Sequence, residues 1–516
     1  MNTRASNEMR RCLDANTSKS LNKMIGIMSM QRVIIMTLAA VIMLAGFPFN
    51  KASIGETPDE DCTTIIVGKK ASSTGSTIIA HNEDDSGSTE ISLRIAGRNS
   101  FPESLNVTGG GRVYRENRTM LTLSVPEKSY AYAWSHMKDQ DFSDSYINER
   151  GVTIFSDACP SREDEPELEY GGIRHHLRKW VAEQAGSAAE AVRLMGELIE
   201  SYGYGDSGRT YVMADPEETW VLHVVYGKRW VAQRVPDDSI TVISNCYVIN
   251  EINLRDTRNF LGSEDIMSYA MDRGWWSGEE TFDFSRAYGR PEAQVSDSNI
   301  YRRWLGMYLL TGKDFDPREI PFSAIPREKV TVERLMSTMR SHFEDTKHGA
   351  QSKEALEARG RFHRSFAYRP ICVSTTQESS VVELRKNVPE ELSVVWWRAS
   401  CNPCLNMYVP WYPVAMMKGG SDFPGPYVSG EASRTFRTLT DLADGDYKNC
   451  SGGVKSGWAS LERSLLSTQK PLEDACSELI SERRVNEATM ILSHYSYGAG
   501  MRALDIAKET TKAMES

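Results

Sequence analysis

The 516-residue chain predicts an α+β fold, and three observations carry that expectation. Short β-rich runs bounded by Gly, Pro, Asn and Asp recur after residue 61. A pair of helical periods and then a charged helical C-terminus interrupt and follow them. Nowhere do strands and helices alternate in the βαβ rhythm of a parallel sheet.

The first apolar run stands apart from that fold. Val33–Ala45 ("VIIMTLAAVIMLA") is uncharged, follows Arg32 and is followed by "GFPFNKASIG". It is short for a bilayer span and has the length of a signal-peptide h-region. The basic stretch before it is long for a signal, so Met24, Met28 or Met30 is an alternative start. A lipoprotein cysteine would sit directly after the h-region, whereas Cys62 lies 17 residues past Ala45. The sequence therefore predicts export, to the periplasm or the medium. Residues 1–61 are assigned to a signal peptide and a short propeptide, roughly "IGETPDED".

After Cys62, "TTIIVG" and "STIIAHN" read as a hairpin across the turn-rich "KKASSTG". "SYAYAWSH" and "INERGVTIFSDA" read as strands around Gly151. Gly172–Ala185 has a helical period, with His175 and His176 expected at its surface or cap. Ser187–Glu190 is a capping-box signature opening a helix that Gly203 closes. "RTYVMA", "TWVLHVV", "RWVAQRV" and "ITVISN" (209–245) suit an antiparallel meander. A second strand-rich block spans Ile371–Pro413, and the pattern is helical from about Ala432. The expected organisation is one domain over 62–431, with a helical segment, 432–516, packed on it.

A net charge of −10, about −11 without residues 1–61, argues against nucleic acid, which needs a basic face. Eight of the nine cysteines remain after Cys12 leaves with the signal. If Cys62 stays free, seven are left and one more must be unpaired. Cys401-Asn-Pro-Cys404 has CxxC spacing, but no second CxxC or His pair accompanies it in the sequence. A disulfide or buried thiols is the reading, over a metal or redox centre.

The chain has no GxSxG elbow, HExxH, P-loop or dinucleotide-binding glycine pattern. Cys62 could be a small buried hydrophobe or the first residue of a mature enzyme. A cut before it would place an α-amine, of pKa about 7.7–8.0, on the residue bearing a thiol of pKa about 8.5. One residue would then supply nucleophile and base.

"CTTIIVGKKASSTGSTIIAHNEDD" resembles the start of the cysteine-type N-terminal-nucleophile dipeptidases. These are relatives of secernins and, more distantly, of penicillin V acylase and bile-salt hydrolase. The resemblance continues through "INERGV", residues 211–245, "STTQESSVVELR", "VVWWRASCNPCLNMYVPWY" and "LSHYSYGAGMRALDIAKE". It implies an αββα sandwich of two stacked antiparallel sheets flanked by helices, and hydrolysis of amide bonds in short peptides without metal or organic cofactor. Cys62 matches the nucleophile, Asp84 the aspartate that orients its amine and Asn245 the oxyanion-hole asparagine, with Asp61–Cys62 as the cleaved bond. Read alone, Asp84 could be a turn residue and Asn245 a strand-end cap. His81 stands where most members carry arginine, and the second family arginine is Arg302 or Arg303. The expected partners are short peptides, with no membrane anchor after signal removal; a homo-oligomer is left open. The rival readings are a linear-amide acylase and a catalytically dead binding protein.

Overall fold

The computed structural model describes residues 62–516 apart from 86–88, 99–106, 109–110, 117–118, 125–128, 139–142 and 358–361. The apolar run Val33–Ala45 and Asp61 lie outside the described residues, and among these no helix is long and apolar enough to cross a membrane. Strands β1 (Thr63–Val67) and β2 (Thr77–Asp84) form the expected hairpin, Thr64 opposite His81 and Thr63 opposite Asn82. β3 (Ile91–Ala96) is followed by β4 (Val107–Thr108), β5 (Gly111–Glu116) and β6 (Thr119–Ser124), which make a small separate sheet. β7 (Tyr132–Met137) leads to the hairpin of β8 (Ser145–Asn148) and β9 (Thr153–Ala158), which turns at Gly151 with φ of 80°. That left-handed backbone is open to glycine at no steric cost.

The expected helix Gly172–Ala185 is shorter, His176–Ala182, because Gly171 and Gly172 hold φ of 88° and 79°. His175 takes the N-cap position, whereas His176 is buried; this corrects the expectation of a surface or cap residue there. The helix is sunk against β8, β9 and its neighbour Ala188–Tyr202, so it has no solvent face. Ser187 caps that neighbour by accepting from Glu190 N at 3.2 Å, and Gly203 ends it at φ of 77°. Glu190 completes the reverse bond one residue early, accepting from Gly186 N at 2.8 Å.

β10 (Tyr204–Ala214), β11 (Thr219–Gly227) and β12 (Trp230–Arg234) make a meander as expected. The fourth strand does not. After the Pro236–Ser239 turn, β13 (Ile240–Ile243) crosses to the other sheet and pairs with β1, while β14 (Phe260–Gly262) covers the edge of β12. β15 (Thr376–Leu384), β16 (Val394–Ser400) and β17 (Val409–Trp411) complete a six-stranded sheet ordered β13-β1-β2-β15-β16-β17. The other sheet is ordered β14-β12-β11-β10-β9-β8-β7-β3. All pairings within both are antiparallel.

The near-continuous apolar runs follow from burial on both faces. In β11, Val221 and Val225 enter the core shared with the six-stranded sheet, while Trp220, Leu222 and Val224 pack with the helix pair 176–202. Helices Asp297–Thr311 and Val332–Met339 cover the six-stranded sheet. The C-terminal helices Glu431–Gly445, Tyr447–Ser481 and Val485–Glu515 pack on one another and on β16 and β17. The molecule is an α+β structure of two antiparallel sheets with helices on both sides.

Candidate active site

The β1–β2 pairing places Cys62 at the head of β1, 2% exposed, with Sγ 3.9 Å from the Asp84 carbonyl oxygen. β13, paired to the other edge of β1 with Ile243 opposite Thr64, delivers Asn245 two residues later to the same end of the sheet. The structure thus brings Cys62, His81, Asp84 and Asn245 together, and the crossover of β13 is what brings the last of them.

Of Arg302 and Arg303, it is Arg302 whose guanidinium reaches this end of the sheet. Its Nη1 donates to the Cys62 carbonyl at 2.8 Å and its Nη2 to Asn245 Oδ1 at 2.7 Å. Asn299 Oδ1 and the Ser298 carbonyl, one helical turn back, accept from the same guanidinium at 2.7 and 2.8 Å. Arg303 points elsewhere and donates to the Pro321 carbonyl at 2.8 Å. With Oδ1 held by Arg302, the Asn245 amide nitrogen turns to the Ala158 carbonyl, 2.9 Å away. Asp84 accepts from Thr376 Oγ1 at 2.5 Å and pairs with Arg369 at 3.1 Å.

His81 is fully buried, stacked on Phe155 with ring centroids 4.9 Å apart. Its Nδ1 lies 2.8 Å from Thr64 Oγ1, the residue opposite it on β1, and its Nε2 lies 2.9 Å from Glu83 Oε2. Thr64 Oγ1 donates onward to Asp157 Oδ2 at 2.8 Å, so Nδ1 is the donor to Thr64.

Burial, followed by the charges of Glu83, Asp157 and Asp84, raises the Cys62 thiol well above its ordinary pKa. Burial lowers that of His81 and raises that of Asp157. The thiol is therefore held protonated in this arrangement. Cys62, His81 and Glu83 offer ligand atoms within 4.8 Å of one another, but both His81 nitrogens already have hydrogen-bond partners. Within the trio His81 and Glu83 are hydrogen-bonded to each other, while the Cys62 thiol donates to the Asp84 carbonyl.

Arg369, Thr376, Thr64, Glu83, Asp157 and Asn299 were missed in the sequence. Only Asn299 carried a local signal, its position three residues before Arg302 on one helix. The CxxC motif is also resolved: Cys401 and Cys404 are free, buried thiols. Cys404 lies among His342, His363 and Cys372, partners that the sequence spacing did not reveal.

The model of "Peptidase family C69" matches residues 61–459. A "Probable dipeptidase" of Latilactobacillus sakei is 26% identical over 68% of this chain and 74% of its own. "Probable dipeptidase B" of Lactococcus lactis subsp. lactis is 29% identical over the same shares. "Dipeptidase" of Bifidobacterium longum is 25% identical over 76% of this chain and 79% of its own. A solved structure of a mutant conjugated bile acid hydrolase from Clostridium perfringens aligns over 66% of this chain and 89% of its own, at 13% identity and a TM-score of 0.30.

Proposed function

Because this chain belongs to peptidase family C69 and is a peptidase hydrolysing amide bonds, we propose that it is an exported dipeptidase whose nucleophile is Cys62, freed by cleavage after Asp61. The observation that carries this reading is the convergence of Asp84, Asn245 and Arg302 on the head of β1. The similarity of the chain to proteins named dipeptidases supports the substrate class. Its apolar Val33–Ala45 run supports export.

While Asp61 is attached, the Cys62 nitrogen is an amide and cannot take the thiol proton. Cleavage turns it into an amine of pKa about 7.7–8.0, beside a carboxylate, Asp84, that can orient it. The amine accepts the thiol proton and the thiolate attacks the scissile carbonyl. Asn245 Nδ2 is the donor for the developing oxyanion, with its direction set by Arg302. The amine returns the proton to the leaving amine as the C–N bond breaks, and water then hydrolyses the thioester, regenerating the thiol. Arg302, through the Cys62 carbonyl, fixes the backbone that carries both reacting groups.

Intact mass and N-terminal sequencing of the purified protein, with a panel of dipeptides, test the reading. Cysteine at the new N-terminus is expected, with first-order maturation independent of protein concentration. Cys62→Ala should stay uncut and inactive. Full activity with Asp61 attached, or in Cys62→Ala, sinks the mechanism.

A further inference from the structure

Away from Cys62, four side chains with metal-ligating atoms meet in the interior, from positions spread over more than sixty residues. They are His342 after the helix Val332–Met339, His363, Cys372 before β15, and Cys404 in the short turn between β16 and β17. One ligand atom from each lies within 4.8 Å of those of all the others, and none of the four residues is more than 5% exposed.

The ring nitrogens are arranged for ligation. His363 Nδ1 is 2.6 Å from Asp444 Oδ1, a buried carboxylate on the helix Glu431–Gly445, and His342 Nδ1 is 2.8 Å from Glu344 Oε1. A carboxylate on the far nitrogen is how proteins fix the tautomer of a metal-binding histidine and raise its basicity. Both Nε2 atoms are thereby turned inward, 3.1 Å apart. That separation suits one proton shared between the two nitrogens, or one cation bound by both. The thiols complete the set, with Cys404 Sγ 3.2 Å and Cys372 Sγ 4.0 Å from His363 Nε2.

These three separations lie within about 0.4 Å of the corresponding edges of a tetrahedral site. Bonds of about 2.0–2.1 Å to nitrogen and about 2.3 Å to sulfur give edges of about 3.3 Å between nitrogens and about 3.6 Å between nitrogen and sulfur. Two thiolates and two imidazoles are a donor set that suits zinc, and a closed set of four leaves no position for substrate.

We propose that His342, His363, Cys372 and Cys404 form a structural zinc site that fastens His342 and the segment 363–372 to the β16–β17 turn. The segment has a reason to be fastened. Arg369, three residues before Cys372, pairs with Asp84 at 3.1 Å, and the Ile371 carbonyl accepts from Asn82 of β2 at 3.0 Å. The site thus lies behind the loop that supports Asp84. It also gives Cys372 and Cys404 a reason to remain unoxidised in an exported protein, since a thiolate bound to zinc is not available to form a disulfide. The proposal stands whether or not Cys62 is the nucleophile.

Elemental analysis of the full-length purified protein should find one zinc per chain. Cys372→Ser and Cys404→Ser should each lose it, and Asp444→Asn should weaken retention against a competing chelator by about 10–100-fold. Should the cysteine variants not fold, the wild-type protein decides. Chelation should lower its melting temperature reversibly, and cobalt(II) added to the stripped protein should give the intense visible bands of a tetrahedral site with a near-ultraviolet thiolate band. Protein that holds no zinc and takes up neither metal after reduction overturns the proposal. So does a disulfide between Cys372 and Cys404 in the active protein, or full zinc retention by both cysteine variants.

Discussion

Arg302 and Asn245 are joined by a 2.7 Å hydrogen bond from Nη2 to Oδ1, and the same guanidinium holds the Cys62 carbonyl at 2.8 Å. A single side chain therefore ties the direction of the Asn245 amide to the position of the residue it would serve. Only a planar fork can do this; an ammonium group offers no equivalent pair of directions.

Loss of either partner should have a common cost. Asn245→Ala should reduce kcat about 10²–10³-fold, the effect of removing one oxyanion donor. Arg302→Lys should approach that loss, and the double variant should be little worse than Asn245→Ala. Independent, multiplying losses in steady-state kinetics would show that Arg302 does not act through Asn245.

Asp84 is braced by Thr376 and Arg369, and under the proposed mechanism an amine at Cys62 should be sensitive to it. Asp84→Asn should lower kcat by about 10²-fold or more, the scale of a misplaced general base. Arg369→Gln should give a smaller loss of the same kind. An unchanged kcat in Asp84→Asn would remove Asp84 from the mechanism.

His81 stands where the resemblance implies an arginine, and burial lowers its pKa. Any help it gives as a cation is lost as pH rises through a midpoint below the usual value of about 6.5. His81→Arg should keep its charge and so raise activity relative to wild type above that midpoint. Superimposable pH–rate profiles of the two proteins would exclude an electrostatic role.

His223 is a stability sensor of opposite surroundings. Its Nε2 accepts from Val248 N and Ile249 N at 2.9 and 3.2 Å, and burial, then Arg303, lowers its pKa well below the ordinary value. The folded state holds it neutral, while the unfolded chain binds a proton near pH 6.5. Its contribution is complete above about pH 6.5 and is lost as pH falls from there toward the folded pKa, at up to about 1.4 kcal/mol per pH unit. Denaturant melts of wild type and His223→Gln between pH 7.5 and 5 should converge as the pH falls (both pH values are about the limits of that window).

Gly196 is set by packing. A Cβ there would lie 2.1 Å from the Trp230 ring, so the helix Ala188–Tyr202 rests directly on the indole. Gly196→Ala should destabilise by about 1–3 kcal/mol despite its better helix propensity. A stabilised variant would show that the ring can move.

The strands were legible because burial and turn chemistry are local: "TTIIVG", Gly75, "STIIAHN" and Gly151 each specify their own geometry. So was the Ser187–Gly203 helix, whose start and stop signals lie within it. The destination of β13 was not. Its sequence continues the meander, and only pairing with β1, some 175 residues earlier, draws it away. The same reason hid Arg369 and Thr376 from Asp84, and His342, His363 and Cys372 from Cys404. Contacts across long sequence separations leave no mark in spacing. Arg302 and Arg303 looked alike because adjacent residues on a helix differ by direction alone, and direction is read only once the helix is seated on β13 and β1.

The place of β1 in its sheet has a mechanical consequence. Chain ends ordinarily fray, since an end residue has neighbours on one side only. β1 is flanked by β13 on one edge and β2 on the other, with every residue from Thr64 to Val67 paired to both. A terminus created at Cys62 would therefore begin two residues ahead of the doubly paired stretch, with its carbonyl gripped by Arg302. Among the described residues the rungs begin at Thr63, on the retained side of that bond. The new end would inherit the stiffness of the interior, and a reactive group on it would move with the sheet and not with the chain that was lost.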